Sequence, residues 1–130
     1  MLPANDTNYL IERFNKDGYT VTSEANMTCI IIKDYPLPTG FNCEKSDLLL
    51  RLSPGYPDLP PDMWWFDPPL QRLDKKVISA IDLTERHLNR NWQRWSRHIP
   101  HSQWRSGIDA LESFFALMHK ELESSVKDPI

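Results

Sequence analysis

Cysteine is nearly missing from this sequence. Cys29 and Cys43 are the only two among 130 residues, and neither belongs to a CxxC pair or a metal-type spacing. That excludes a disulfide framework and a zinc site, and it leaves both thiols with structural roles. No metal and no other cofactor is expected. Long apolar runs are missing too. None approaches the ~18 residues of a membrane span, and Met1-Leu2-Pro3 begins no signal peptide, so the expectation is a cytoplasmic protein without membrane contacts. Charge is not skewed far to one sign either. A net charge of -3, with 25% charged and 40% hydrophobic residues, excludes a disordered chain and a binder of polyanions over its whole surface. The length suits one domain, residues 1–130, in which folding buries roughly two thirds of the surface of the unfolded chain.

Proline, by contrast, is plentiful, with 11 in the chain and three in the run Tyr56-Pro57-Asp58-Leu59-Pro60-Pro61. Each fixes φ and removes a backbone donor. The run therefore cannot lie inside a sheet, and it reads as an ordered turn bridging two strands.

Around that turn the elements read in order. Asn5 to Lys16 suits a short helix capped by Asn5 or Thr7, with Leu10, Ile11 and Phe14 on its buried side and Asp17-Gly18 as its stop. Tyr19 to Ser23 and Met27 to Lys33 form a hairpin about Ala25-Asn26. Tyr35 to Gly40 is a loop. Leu48 to Leu52 is a third strand whose unbroken apolar run implies burial on both faces. Met63 to Phe66 is a fourth, ended by Asp67-Pro68-Pro69, with Trp64 and Trp65 on opposite faces, one packed inward and the other open to a partner. Leu70 to Glu85 fits a weak helix or an extra strand pair equally well. Ser106 is placed to cap a closing helix with Asp109 at its N3 position. In that helix Ile108, Leu111, Phe114, Phe115, Met118 and Leu122 recur at core spacing.

Chemistry concentrates between His87 and Trp104, inside the span Arg86 to Arg105. That span holds five arginines, three histidines and three tryptophans and no acidic residue, inside a chain that is acidic overall. Such asymmetry marks a surface that meets an anion or an acidic partner. Two other accounts stand beside it. The arginines can stack on the tryptophans as structural cation–π pairs, or the interleaved rings and cations can hold nucleic acid, the weaker reading here. Trp92, Trp95 and Trp104 are read first as supports of the fold.

The order of helix, strand meander, YPxxPP turn, aromatic strand, His/Asn/Trp/Ser segment and closing helix resembles the ubiquitin-conjugating enzyme superfamily. In that family the YPxxPP turn and an aromatic strand lead to a His-Pro-Asn motif and the catalytic cysteine. A tryptophan comes eight residues later, before the helix. Here His87-Leu88-Asn89 stands where His-Pro-Asn would, Trp104 stands before the helix, and the residue eight before Trp104 is Ser96. A serine occupies the cysteine's place. The resemblance implies an α+β fold: an N-terminal helix, a four-stranded antiparallel meander, an active-site loop Arg94-Trp95-Ser96-Arg97-His98 and a C-terminal helix. The chain departs from the family in three ways. The stretch Leu70 to Glu85 is longer than the family's connection, Asn89 lies one residue closer to the nucleophile position than usual, and no cysteine comes after Cys43. Small bacterial relatives, encoded beside an activating enzyme, a ubiquitin-like protein and a peptidase, diverge similarly, and this chain looks like one of them.

The resemblance implies an activating enzyme and a ubiquitin-like modifier as partners, and antiviral defence as the setting. A serine hydroxyl needs an adjacent base before it attacks an acyl group. In an extended loop Ser96 and His98 project to one side, which makes His98 the natural base and His101 the reserve. Arg97, Asn89 or a backbone amide would stabilise the oxyanion. Arg94, Arg97, Trp95 and Trp104 are the candidate binding residues. Two functions are compatible with this pattern: acyl transfer through a Ser96 oxyester, and a non-catalytic variant of the fold that binds the modifier or its enzymes as a scaffold.

Overall fold

The computed structural model describes residues 2–81 and 83–127. Helix α1 (Ala4–Phe14) leads into strands β1 (Tyr19–Glu24), β2 (Met27–Pro36), β3 (Lys45–Leu52) and β4 (Trp64–Asp67). Strands β5 (Leu83–His87) and β6 (Arg90–Trp95) and helix α2 (Leu111–Ser125) follow. Among the described residues the sheet has six strands in the order β1-β2-β3-β4-β6-β5, with every pair antiparallel. The first four therefore run as neighbours in sequence order, and the β5–β6 hairpin adds to β4 through β6.

The expected count of four strands is corrected to six. Of the two options left for Leu70 to Glu85, a strand pair forms, but it starts only at Leu83 and its second strand runs on to Trp95. Arg94 and Trp95 consequently belong to a strand and not to a loop. The hairpin about Ala25-Asn26 has both turn residues at positive φ, 52° and 66°, the twist that a two-residue antiparallel connection requires. β3 is buried on both faces, with Leu48, Leu49 and Leu50 fully covered.

Both helices lie on one face of the sheet, and the main core sits between the layers. Leu10 of α1 and Leu111, Phe114, Phe115, Met118 and Leu122 of α2 meet Ile30, Ile32, Leu48, Leu50, Trp64, Phe66 and Trp95. The opposite face carries a second, smaller cluster of Cys29, Leu49, Trp65 and Trp92. Trp64 and Trp65 do face opposite ways, but both are buried, each 3% exposed. Neither is open to a partner.

How can a single sheet layer bury Trp65 and Trp92 on a face without helices? In a flat sheet the outer strands β1 and β5 would lie about 24 Å apart. Instead Glu24 of β1 accepts a 2.8 Å hydrogen bond from the backbone N–H of Leu88, at the tip of the β5–β6 hairpin. The sheet curls until its edges meet across the second cluster.

The helix ends differ from expectation. α1 begins after Pro3, whose carbonyl accepts from Asp6 and Thr7, and neither Asn5 nor Thr7 caps it. It ends at Asn15, with φ of 64°. α2 begins at Leu111, and Ile108 is 68% exposed and outside it. Ser106 instead donates to Asp58 of the YPxxPP turn. The first backbone donor of α2 is satisfied from a distance: Leu111 N–H donates to Asp6 Oδ1 at 3.0 Å, while Tyr56 O–H donates to Asp6 Oδ2 at 2.6 Å. Asp6 is only 1% exposed. One buried carboxylate thus ties α1, the YPxxPP turn and the N-terminus of α2, where a negative charge is favoured. Burial, and after it the Asp6 carboxylate, pushes the Tyr56 hydroxyl well above its usual range.

Candidate active site

The YPxxPP turn anchors the segments around the closing helix. Trp104 Nε1 donates to the Pro57 carbonyl at 2.8 Å, and its ring lies 6.4 Å from that of Tyr56. Asp58 accepts from the Ser106 hydroxyl. Just past the turn, Asp62 Oδ1 lies 2.5 Å from His98 Nδ1. Trp104 is 7% exposed, so it serves the frame.

Ser96 is the first residue after β6. Its N–H donates to the Ala80 carbonyl at 3.0 Å, which fixes its backbone against the long connection. Strand alternation puts Trp95 into the main core and Arg94 and Ser96 on the other face. There the Arg94 guanidinium donates through Nε to Ser96 Oγ at 3.1 Å and through Nη1 to Glu85 Oε2 at 2.7 Å. Glu85 Oε1 in turn accepts Trp65 Nε1 at 2.9 Å and faces His87 Nε2 at 3.2 Å. His87 Nδ1 reaches Glu24 Oε1 at 3.4 Å, and Arg51 closes on the same carboxylate at 3.6 Å. A continuous polar chain therefore crosses the curled face from β1 to Ser96. Desolvation alone would raise the Glu85 carboxyl, but the bonds from Trp65 and His87 and the charge of Arg94 hold it below its ordinary value. Glu24 is also lowered, first by the Leu88 N–H.

The remaining candidates fall elsewhere. His98 is exposed, and its Nδ1 is taken by Asp62; among the described contacts none joins it to Ser96. Its ring lines two clefts, one of about 250 Å³ with Trp64, Phe114, Met118 and Glu121 and one of about 330 Å³ with Arg51 and Leu59. Leu88 and Asn89 form the β5–β6 turn, with φ of 53° and 62°. Seven residues of extended chain, roughly 20 Å, separate Asn89 from Ser96, so the structure does not bring it to the hydroxyl. The side chain of His101 lies outside the described residues. Trp95 is fully buried and stacks on Trp64, with centroids 6.2 Å apart; it presents no binding surface. Arg97 covers the Trp95 ring at 5.1 Å and spans Glu121 Oε1 and the Ser79 carbonyl, each at 2.8 Å. It is a clamp between the long connection and α2.

The acid-free span finds its acids in other segments. Arg90 pairs with Asp47 and Asp67 and lies 4.3 Å over Trp92, Arg94 pairs with Glu85, and Arg97 pairs with Glu121. The cation–π account of the arginines holds for Arg90 and Arg97. With these charges neutralised locally, the structure adds no argument for nucleic acid.

The prokaryotic E2 family E matches residues 2–125. The chain belongs to this family. Comparison with curated proteins and with solved structures gave no match. Membership in prokaryotic E2 family E gives the chain a role of the conjugation-pathway type, with an activating enzyme and a modifier as partners in general terms. Sequence reasoning did not single out Asp62 or Glu85, which the structure sets beside His98 and Arg94, and it read Arg94 as a candidate binding residue. A period-2 signal was present for the last: Arg94 and Ser96 stand at i and i+2, the relation already applied to Ser96 and His98.

Proposed function

We propose that this member of prokaryotic E2 family E carries an acyl group on Ser96. The modifier's C-terminal carboxyl arrives activated, as an adenylate or ester. Ser96 Oγ bonds to the acyl carbon, the bond to the leaving group breaks with its electron pair, and the hydroxyl proton passes to His98 after its ring turns from Asp62. An amine then attacks the same carbon, and Ser96 leaves with a proton restored. The observation that carries this reading is the Arg94 Nε–H donated to Ser96 Oγ. A hydroxyl that accepts from a guanidinium keeps its own proton free to leave, and the charge that develops meets a cation.

The second reading is a scaffold that binds the modifier or the activating enzyme without a covalent step. It is favoured by the absence of a base in hydrogen-bond contact with Ser96 among the described residues, and by the structural engagement of Arg90 and Arg97. Intact-protein mass spectrometry after mixing with the cognate activating enzyme, modifier and ATP separates the two. An adduct that hydroxylamine removes and Ser96→Ala abolishes supports the carrier; binding without any adduct supports the scaffold. Antiviral defence is the setting we assign, tested by phage plating on cells with the intact gene set and with Ser96→Ala.

A further inference from the structure

We infer that Arg94 is a catalytic residue acting directly on Ser96 Oγ, and that Glu85 is a positioning residue that aims the Arg94 guanidinium from the neighbouring strand. This rests on the carrier reading of Ser96. Three observations support it. Arg94 makes two bonds in different directions, Nε to Ser96 at 3.1 Å and Nη1 to Glu85 at 2.7 Å. A planar guanidinium held at two points cannot rotate away from either. Glu85 is itself held, by Trp65 Nε1 at 2.9 Å and by His87 at 3.2 Å, and the strand register sets Trp65 opposite Arg94 on β6 and Glu85 opposite Trp92. The cluster is half-buried, with side-chain exposures of 23% for Arg94 and 32% for Glu85, so water screens the Arg94 charge less than at an open surface.

The chemical role comes from the direction of the bond. As the hydroxyl proton leaves, negative charge builds on Oγ beside Arg94. A carboxylate in Arg94's place would oppose that charge, and a neutral donor would answer it weakly. Glu85 does not touch the reacting oxygen. It sets the angle of the group that does, and its negative charge is taken up by Trp65, His87 and Arg94 together.

A partner-free test uses p-nitrophenyl acetate. Attack by Ser96 Oγ forms the acetyl ester, p-nitrophenolate leaves with the bonding pair, and the proton passes to His98 or to buffer. Peptide mass spectrometry reads acetylation at Ser96 against Ser53 and Ser106 in the same molecule. We expect Arg94→Gln to slow Ser96 acetylation about 100-fold, as loss of an oxyanion-type donor does, and Glu85→Gln to slow it about tenfold. The double substitution should be no slower than Arg94→Gln alone, because Glu85 acts through Arg94. Additive losses would give Glu85 only a structural role and overturn its part. Nitrogen-15 spectra of the arginine Nε–H groups give a second readout. The Arg94 signal should shift in Ser96→Ala and lose its protection from solvent exchange in Glu85→Gln. If wild-type Ser96 is acetylated above the two control serines while Arg94→Gln leaves the rate unchanged, the inference fails and the carrier reading survives. If wild-type Ser96 reacts no faster than the controls, the carrier reading fails and takes the inference with it.

Discussion

Two faces of one strand divide the work of this protein. On the inner face of β6, Gln93 and Trp95 are fixed by the fold. Trp95 packs between Trp64, Phe66 and Phe41, and Gln93 bonds both backbone groups of Leu70 and the Trp95 indole. On the outer face, Arg90, Trp92 and Arg94 alternate, and the cations pair with carboxylates brought from β3, β4 and β5. The inner face combines apolar contact with neutral hydrogen bonds. The outer face adds, around the smaller cluster of Trp65 and Trp92, a charged lattice that ends on the Ser96 hydroxyl. The strand therefore fixes its position through its inner face while its outer face carries the ion pairs that reach Ser96.

The comparison is broken most severely from the inner side. Trp95→Ala removes a fully buried ring and is expected to cost about 4 kcal/mol of stability, read as a fall in the urea midpoint. Arg94→Gln should change the stability by about 1 kcal/mol at most, since a partly exposed ion pair contributes little. Equal losses from the two substitutions would contradict the division. Next in size is Asp6→Ala, which removes the carboxylate that accepts from both the Tyr56 hydroxyl and the Leu111 N–H. A loss of about 3 kcal/mol is expected from the loss of these two buried hydrogen bonds. A change below about 1 kcal/mol would remove Asp6 as the tie between the helices and the turn.

The smallest effect is one of pH, and it belongs to the outer face. Glu24 and Glu85 titrate below their ordinary 4.5 in the folded protein. Their folded state binds fewer protons than the unfolded state, so the stability they contribute is complete above that value and is lost as pH falls through the folded one. Urea midpoints should be level from neutral pH down to about 5 and should drop below it. Glu85→Gln should start lower and drop less steeply. The groups that face these two carboxylates are His87, Arg51, Arg94 and Trp65. A wild-type profile as flat as that of the variant would show that the lattice adds no pH-dependent stability.

Local patterns were the legible part of the sequence. The β1–β2 hairpin, the doubly buried β3 and the α2 stripe from Leu111 to Leu122 each carry a period or a turn signal within a few residues. The YPxxPP run announced a rigid turn, though not its users, because Asp6, Trp104 and Ser106 converge on it from across the chain. The long connection stayed ambiguous because most of its apolar residues are not buried: Leu73 is 66% exposed and Val77 91%. The same absence of pattern hid the start of β5. The span without acids looked like an open cationic surface because its neutralising partners Asp47, Asp67 and Glu121 are distant in sequence. Ser96 was singled out by its distance from Trp104. The group that touches it was given another role, since reading Arg94 and Trp95 as loop erased the alternation that pairs Arg94 with Ser96.

The carrier account rests on Ser96 standing where a conjugating thiol would stand, and Ser96→Cys tests that most directly. With the activating enzyme, modifier and ATP present, wild type should give an adduct that hydroxylamine cleaves and dithiothreitol leaves intact. Ser96→Cys should give one that dithiothreitol releases, a thioester at the same position. Adduct formation that is unchanged in chemistry by the substitution, or absent from both proteins despite binding, would contradict the account and leave a scaffold.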